Sequence, residues 1–598
     1  LAVRPARPWN VLAITFTNKA AGELKERLRA MLGDTLGGDV NASTFHSACV
    51  RMLRRDAERI GFPKSFTIYD SDDQQRVIKQ IYKELMIDDK FLPVKSAISQ
   101  ISGYKDKLLS AKDVAAEAPR DTKAALISKI YTAYSNRLRT AGAMDFDDLI
   151  FHTVQMLKTD AEAREYYQQK FRYVVVDEYQ DTSVAQFHLV RLLAGGSNNV
   201  CVVGDDDQSI YKFRGATIEN ILNFEKHFPE AVTIKLEQNY RSTGNILNAA
   251  NAVIRNNHGR KEKTLWTENE DGNMIQFRQF DSAYEEAEYV VGDIRRHVNK
   301  ELCSYKDNAV LYRTNAQSRL FEERFITANI PYKIFGGVNF YARKEVKDLL
   351  AYLKTIDNGQ DDLAVRRIIN IPKRGIGAAS INKVALYAQE QEISFYDALC
   401  VAEQVPGLGK AAAKIRPFVM FIQSMKAKAK LLSVADLLQE VIETTGYVRE
   451  LEAEGTDEAE ARIENIDELI SKAVDYAEGE EAPTLNGFLE NVALVADIDS
   501  FDENSDYVVL MTLHSAKGLE FPHVYLAGLE DGIFPSYMTI TADDPAELEE
   551  ERRLCYVGIT RAMKDLTLTC AQQRMIRGET QYNRVSRFVR EITRELVD

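Results

Sequence analysis

The sequence contains no apolar run that approaches the roughly 20 residues of a membrane-spanning helix. Its first ten residues, LAVRPARPWN, also lack the apolar core of a secretory signal. We therefore expect a cytoplasmic protein that has no membrane partner.

Cysteine and histidine are scarce. The chain has 8 histidines and 6 cysteines, and the cysteines are Cys49, Cys201, Cys303, Cys400, Cys555 and Cys570. No CxxC pair occurs and no histidine cluster lies near a cysteine, which argues against a disulfide framework or a metal site. We expect these residues to be buried free thiols.

The chain has no excess of positive charge, since its formal net charge is -14. This argues against a protein that coats nucleic acid non-specifically, because phosphate contacts need clustered Lys and Arg. The acidic residues are concentrated in stretches such as 452–468 and 543–551, which we interpret as solvated helix faces. Other surfaces therefore remain available for basic patches.

A length of 598 residues is too great for one hydrophobic core. At roughly 100 to 200 residues per domain, about three to five units are expected. Apolar residues make up 45% and charged residues 28%, which is typical of globular proteins.

Short apolar runs followed by polar residues indicate a parallel α/β sheet. The runs are WNVLAITF (9–16), FRYVVVDE (171–178) and NVCVVGDDD (199–207). A helix follows the first run, and either Thr17 or Asn18 can cap it. Ligands are expected at the carboxyl ends of such strands.

A second set of strands lies in the other half of the chain, at 307–314, 332–337, 507–514, 523–529 and 566–571. Helix-forming sequence without strong strands interrupts each set. The pattern predicts four domains: a first sheet domain (1–69 and 146–266), a helical insertion in it (70–145), a second sheet domain (267–359 and 504–598) and a second helical insertion (360–503).

The segment VVVDEYQDT (174–182) ends a buried strand in an adjacent Asp and Glu. Asp177 at this position can coordinate the Mg²⁺ of a nucleotide, and Glu178 can polarise an attacking water. A bare Asp-Glu pair is more often a solvated turn, so the neighbouring segments decide. In VVGDDDQSIYKFRGA (202–216), Gln208 follows another strand and is suited to sensing a γ-phosphate. Tyr211 to Arg214 interleave aromatic and cationic residues, as in a stacking platform for bases.

Further strings complete an ordered set: ITFTNKAA (14–21), TFHS (44–47), QNYRS (238–242), TLHSAKGLEF (512–521) and ERRLCYVGITRA (551–562). Over essentially the whole chain, this set resembles the motifs of superfamily 1 DNA helicases of the UvrD/PcrA/Rep type. The resemblance implies an α/β fold with two RecA-like parallel-sheet motor domains, each holding an inserted, mainly helical domain. It also implies ATP and Mg²⁺ as cofactors.

The resemblance assigns roles residue by residue. Tyr240 corresponds to the adenine-stacking aromatic, Arg241 and Arg561 to arginines facing the γ-phosphate, and Glu520 to a residue near the nucleotide. These four residues form the implied ATP site together with Glu178, Gln208 and Asp177, and Asp177 is the implied metal ligand. The implied DNA-binding residues are Phe16, Thr44, His46, Tyr211, Phe213, Arg214, Arg313, Asn315, His514, Gly375 and Gly377.

Three details qualify the DNA assignment. Phe213 stands where the family usually has tryptophan, and phenylalanine offers a smaller π-face for stacking than tryptophan does. DFDDL (145–149) matches a family motif near the DNA channel. Gly375 and Gly377 precede a helix, so their backbone N–H groups can approach a duplex phosphate; the similar PGLGKAAAK (406–414) could do the same.

A motor of this kind needs a GxxxxGK[ST] loop to cradle phosphates, and no such string occurs in the 598 residues. The family places it upstream of the ITFTNKAA strand, and the first residue here is Leu1. We therefore expect an N-terminally truncated sequence that is impaired in ATP hydrolysis.

The resemblance implies an ATP-dependent DNA translocase and helicase that moves 3′ to 5′ and serves repair or replication restart. Its partners would be single-stranded DNA, junctions of single-stranded and duplex DNA, and repair proteins, and it would act as a monomer or weak dimer. One alternative is a non-catalytic DNA-binding remnant. Another is the helicase subunit of a RecBCD-like or AddAB-like nuclease complex.

Overall fold

The computed structural model of the chain describes residues 6–89, 91–117, 122–497 and 506–598. The chain divides into two compact units. The first unit contains residues 1–236 with 258–263, and the second unit contains residues 237–257 with 264–598. The division into four domains stays a prediction, and its boundary at 503/504 lies outside the described residues.

The first unit is built on a parallel sheet. The strands of this unit are β1 (Val11–Thr15), β2 (Asn41–Thr44), β3 (Thr67–Tyr69), β4 (Ala143–Asp145), β5 (Tyr173–Val176) and β6 (Val200–Val202). Four of them pair in parallel in the order β2-β1-β5-β6. Leu12, Ile14, Val174 and Val176 are buried in its core, which explains the apolar runs in the sequence.

Helices pack around this sheet. They are α1 (Asn18–Leu32), α2 (Asp34–Gly38), α3 (Phe45–Asp56), α4 (Ser71–Glu84), α5 (Val94–Asp106), α6 (Ala111–Glu117), α7 (Thr122–Ala141), α8 (Phe146–Thr159), α9 (Ala161–Lys170), α10 (Val184–Ala194), α11 (Glu219–Leu222) and α12 (Phe224–His227). Thr17 caps α1, since its side chain accepts a hydrogen bond from the Ala20 amide. Helices α4 to α7 lie in the range predicted as the first insertion, and they bury a shared core that includes Ile78 and Tyr131.

The second unit holds a larger sheet. Its strands are β7 (Gln276–Ser282), β8 (Asn308–Tyr312), β9 (Tyr332–Phe335), β10 (Val508–Thr512), β11 (Phe521–Leu526), β12 (Glu530–Asp531), β13 (Ala562–Ile576), β14 (Glu579–Tyr582) and β15 (Arg584–Val585). The sheet order is β14-β13-β11-β8-β10-β9, with β7 also on β13. All of these pairs are parallel except β13 with β14.

The helices of the second unit are α13 (Gly244–Ile254), α14 (Ala283–Asn299), α15 (Ser318–Thr327), α16 (Lys344–Asp357), α17 (Asp362–Ile368), α18 (Ala378–Glu390), α19 (Phe395–Cys400), α20 (Ala411–Lys428), α21 (Val434–Thr445), α22 (Tyr447–Glu454), α23 (Asp457–Gly479), α24 (Leu485–Asp497), α25 (Tyr537–Thr541), α26 (Pro545–Ile559) and α27 (Arg587–Glu591). Helices α17 to α24 lie in the second predicted insertion and share a core with α16. The structure thus confirms the predicted α/β class, with helices inserted in each sheet-bearing part.

The expectation that the cysteines are buried is correct for only some of them. Cys49, Cys555 and Cys570 are buried, but Cys201 and Cys400 are exposed. Cys201 lies on β6, a strand of which no residue is buried. Among the described residues, no helix is both long enough and apolar enough to span a membrane.

Candidate functional site

The Asp-Glu pair lies where β5 ends. The Asp177 amide donates to the Ile14 carbonyl at 2.9 Å, which continues the pairing with β1 for one more residue. Glu178 then has a φ of 53°, in the left-handed region that few non-glycine residues adopt. This turn presents both side chains at the strand end, where Asp177 is exposed.

Glu178 is hydrogen-bonded to a glutamine that the sequence analysis missed. The Gln180 side chain donates from Nε2 to Glu178 Oε2 at 2.5 Å and accepts the Asp205 amide on Oε1 at 3.1 Å. Gln180 is fully buried. Its carboxamide passes so close to Gly204 that a Cβ there would lie 2.5 Å from Oε1, so a larger residue at this position would displace the Gln180 carboxamide.

Gln208 joins the same network from the end of β6. It closes a 3₁₀ turn, Asp206–Gln208, and donates from Nε2 to Asp205 Oδ2 at 2.7 Å. Asp205 therefore connects the Gln208 carboxamide with Gln180 and Glu178. The structure brings together, within the first unit, the acid and the glutamine that were predicted from separate strand ends.

Asp177 and Glu178 offer carboxylate oxygens, the ligand type that Mg²⁺ prefers. In nucleotide sites this ion is usually held by one or two carboxylates together with substrate phosphates and water. Within the described ranges, no group of three or more His, Cys, Asp or Glu side chains is arranged to hold an ion. The donors at this strand end fit a nucleotide-bound Mg²⁺.

Arg241 was expected in the first sheet domain but lies in the second unit, where it and Arg561 converge on Thr560. Arg241 donates from Nη1 to the Thr560 carbonyl at 3.2 Å, and Arg561 donates from Nη2 to Thr560 Oγ1 at 3.1 Å. Arg241 is also ion-paired with Glu520. Arg561 is nearly fully buried and donates from Nη1 to the Leu519 carbonyl at 3.1 Å. Two arginines and one glutamate thus lie in one cluster.

The QNYRS string forms a turn that presents Tyr240 and Arg241. Asn239 Oδ1 accepts the amides of Arg241 and Ser242, each at 2.9 Å, in the Asx turn that asparagine favours. Tyr240 is 80% exposed, so its ring is available for stacking. The hydroxyl of Ser242 donates to the Ala562 carbonyl at 2.6 Å and fixes this turn beside the start of β13.

Among the DNA-binding candidates of the first unit, several pack against aromatic neighbours. Phe16 contacts Phe45 edge to face, with ring centroids 5.5 Å apart. His46 contacts the exposed Phe146 of DFDDL at 5.8 Å. Burial lowers the pKa of His46, so its ring is neutral at pH 7. Thr44 caps α3 by accepting the Ser47 amide.

Tyr211, Phe213 and Arg214 form a compact aromatic and cationic group. The two rings lie 6.0 Å apart, and the Arg214 guanidinium lies 5.4 Å from each ring centroid. Phe213 is 50% exposed. The residues of the predicted stacking platform thus lie together, with one open ring and one partly buried ring, and their role in stacking stays a prediction.

The candidates near β8 and β10 have mixed surroundings. Arg313 is held by Glu551, with Nη2 to Oε1 at 2.6 Å and Nε to Oε1 at 2.9 Å. Asn315 Oδ1 is buried and has no hydrogen-bond partner among the described residues. His514 follows β10 and is half-buried. A DNA phosphate that bound to Arg313 would therefore compete with Glu551 for the same guanidinium.

The two glycines at the start of α18 differ. Gly375 has a φ of 69°, and its carbonyl accepts from Lys414 Nζ at 3.2 Å. Gly377 is the N-cap of α18 with an ordinary φ of -80°, and open space surrounds its missing Cβ. Lys383 Nζ donates to the Gly407 carbonyl at 2.6 Å, so α18 is bonded to the second glycine turn as well.

Comparisons with known proteins match both halves of the chain. The family model of the UvrD/REP helicase N-terminal domain matches residues 1–229. The model of the UvrD-like helicase C-terminal domain matches residues 234–573. The ATP-dependent DNA helicase PcrA of Staphylococcus aureus is 48% identical over 593 residues, which is 99% of this chain and 81% of the relative. The PcrA of Staphylococcus epidermidis has the same identity and coverage.

Proposed function

The chain belongs to the UvrD/REP helicase family, and from this membership we infer that it is an ATP-dependent DNA helicase. The observation that carries the inference is the 48% identity to PcrA, a helicase by name, over 99% of the chain. The hydrogen-bonded chain from Glu178 through Gln180 and Asp205 to Gln208 supports it.

We propose that the strand-end residues hydrolyse ATP. Asp177 would hold the Mg²⁺, which when bound neutralises phosphate charge, and Glu178 would orient and polarise the attacking water. Gln208 would hydrogen-bond the γ-phosphate. Arg241 and Arg561 would neutralise charge that develops on the phosphoryl oxygens, and the exposed Tyr240 would stack on the adenine.

For DNA, we propose that the protein moves 3′ to 5′ along single strands and unwinds duplexes in repair or replication restart. The aromatic group of Tyr211 and Phe213 supports binding of bases without sequence preference, because every base has a π-face. Gly377, at an open helix start, would approach a duplex phosphate. The remaining candidate residues keep their predicted roles.

We also propose that the 598 residues alone hydrolyse ATP slowly, because no GxxxxGK[ST] string occurs in them. A coupled ATPase assay with and without single-stranded DNA measures this directly. Fast, DNA-stimulated turnover by the 598-residue chain would contradict the proposal.

Strand separation by the purified protein tests the function itself. Duplexes with a 3′ tail, a 5′ tail or blunt ends would be compared by strand separation with and without ATP and Mg²⁺. We expect ATP-dependent unwinding of the 3′-tailed duplex only. Glu178→Gln should lower turnover at least about 100-fold while DNA binding persists, since one catalytic group is typically worth 10²-fold or more.

Glu162→Gln is the matched control. Glu162 is a surface glutamate of α9 whose side chain is 82% exposed, and this change should leave both activities unchanged. Unwinding that needs no ATP, or that Glu178→Gln leaves intact, would refute the proposed chemistry. Unwinding of 5′-tailed duplexes alone would refute the direction and leave the helicase assignment standing.

A further inference from the structure

Three adjacent carboxylates follow β6, at Asp205, Asp206 and Asp207. The Asp206 and Asp207 side chains are only 6% and 1% exposed, and Asp205 is 24% exposed. Buried carboxylates are costly unless they are paired with cations and hydrogen-bonded. The loop that carries Gln208 therefore depends on groups that neutralise it.

The neutralising groups come from a short segment, residues 258–263. Lys263 Nζ lies 2.7 Å from Asp205 Oδ1, 3.0 Å from Asp206 Oδ1 and 2.7 Å from Asp207 Oδ2. Arg260 binds Asp207 with two donors, from Nε at 2.9 Å and from Nη2 at 2.6 Å. Such two-point guanidinium contacts are strong and fix geometry.

Lys263 stays charged in this position. Burial by itself lowers the pKa of Lys263, but the carboxylates of Asp205, Asp207 and Asp206 more than offset burial, and the pKa is raised above its ordinary value. A permanently protonated ammonium among three carboxylates acts as a fixed electrostatic anchor.

The anchor reaches the candidate catalytic groups through Asp205. One carboxylate oxygen of Asp205 faces Lys263, and the other accepts from Gln208 Nε2 at 2.7 Å. The Asp205 amide donates to Gln180, which in turn donates to Glu178. One ammonium is thus linked by hydrogen bonds to both the predicted sensor and the predicted base.

The segment 258–263 lies in the sequence between two stretches of the second unit. Residues 258–263 belong to the first unit, but residues 237–257 before them and residue 264 onward belong to the second unit. The groups that anchor the Gln208 loop are therefore joined at both ends to the chain of the second unit.

We propose that Lys263, assisted by Arg260, is a positioning residue that holds Asp205 and thereby sets the orientation of Gln208 and Glu178. It links these strand ends to the chain of the second unit. This role rests on the proposed ATP hydrolysis at that site.

Three variants test the proposal: Lys263→Gln, Lys263→Arg and, as the matched control, Lys261→Gln. The Lys261 side chain pairs with Glu225 at the surface, and only its backbone amide contacts the aspartate loop. In the purified protein, Lys263→Gln should lower kcat about tenfold, equivalent to about 1.4 kcal/mol. KM for ATP and the Kd for single-stranded DNA should change less than about twofold. Lys263→Arg should restore most of the rate.

Hydrogen exchange of the 598-residue chain provides a readout that does not need turnover. Peptides covering 176–182 and 203–210 should lose protection in Lys263→Gln, regain it in Lys263→Arg and stay protected in Lys261→Gln. Unchanged exchange would overturn the proposal, and so would a loss of thermal stability with no separation of kcat from KM. A wild-type protein without ATP turnover would refute the proposed function, and the exchange result would still decide the role of Lys263.

Discussion

Phe213 is the most open aromatic ring of the predicted base-stacking group, with Arg214 against its face. Its replacement by alanine should weaken binding of single-stranded DNA about 5- to 150-fold, because a stacked base contributes roughly 1 to 3 kcal/mol. Phe213→Trp should strengthen binding, since indole offers a larger π-face. Fluorescence anisotropy with a labelled oligonucleotide measures both effects.

Phe91→Ala is the control for this prediction. Phe91 is similarly exposed, at 58%, and lies outside the predicted DNA-binding residues. Equal losses in Phe213→Ala and Phe91→Ala would remove the special role of Phe213.

Gly377 and Gly375 allow a comparison within one turn. Gly377→Ala should keep the fold, because φ is -80° and the space for a Cβ is open, yet it should weaken duplex binding if a phosphate approaches the amide. Gly375→Ala should instead destabilise the turn by about 1 kcal/mol or more, since its φ of 69° strains an L-residue. Duplex anisotropy and thermal unfolding separate the two effects. Unchanged duplex affinity in Gly377→Ala would contradict the predicted contact.

Some site residues could be predicted and others could not. Asp177, Glu178 and Gln208 follow apolar runs, and a strand end is a position that the sequence reveals. Gln180 and Asp205 act through side-chain contacts across about 25 positions, as between Asp205 and Gln180. No periodicity or composition encodes such a contact. DFDDL was matched to a family motif near the DNA channel, but the sequence did not reveal that the Phe146 ring is 52% exposed and lies beside His46.

At the scale of elements, α8 joins the first insertion to the sheet through buried charge. Asp145 caps α8 and accepts from Lys105 Nζ at 2.6 Å, while Asp148 lies 2.8 Å from the same ammonium. Lys105 belongs to α5 of the insertion and is 2% exposed. Removing one partner of such a buried ion pair typically costs about 3 to 5 kcal/mol.

His152, one turn further along α8, makes stability depend on pH. Burial, with Lys105 and Arg139 nearby, lowers the pKa of His152 to about 3. In the unfolded chain His152 is protonated below about pH 6.5, whereas in the folded chain it stays neutral down to about pH 3. The free energy of unfolding therefore decreases as the pH falls from about 6.5 toward 3. The loss approaches about 1.4 kcal/mol per pH unit.

His152→Phe should remove this part of the pH dependence, because a phenyl ring does not titrate. The new ring should be accommodated, since the Phe62 ring centroid already lies 4.9 Å from that of His152. Urea unfolding at pH 7.0 and 5.5 compares the variant with the wild type. Burial raises the pKa of Asp148 to about 7, which stabilises the fold as the pH falls, but this contribution is present in both proteins. Identical pH dependence in the two proteins would contradict the assignment.

Strand prediction succeeded for short, mostly apolar runs, as in β5 and β10. It missed β7, since QFRQFDS has only two apolar residues, Phe277 and Phe280, which do not alternate with polar ones, and the strand is largely half-exposed. It also shortened β13 to the apolar residues 566–571, although the strand runs from Ala562 to Ile576 because it pairs with β11, β7 and β14. Pairing partners set the length of a strand, and a local pattern does not contain them.

At the scale of the whole molecule, the order of the motifs was more informative than any one of them. The ordered strings predicted a helicase of the UvrD/PcrA/Rep type, and the family matches confirm it over residues 1–229 and 234–573. The division of the chain into two units was harder to predict from the sequence, because the segment 258–263 that belongs to the first unit is only six residues long.

Because residues 258–263 belong to the first unit, expressing that unit by itself is difficult. A gene fragment that stops at residue 236 omits Arg260 and Lys263, and it leaves Asp206 and Asp207 buried without their cations. A fragment extended to residue 263 carries α13, which belongs to the second unit. We expect the shorter fragment to be poorly soluble and the longer one to expose the buried apolar face of α13, so no single stop codon yields this unit intact.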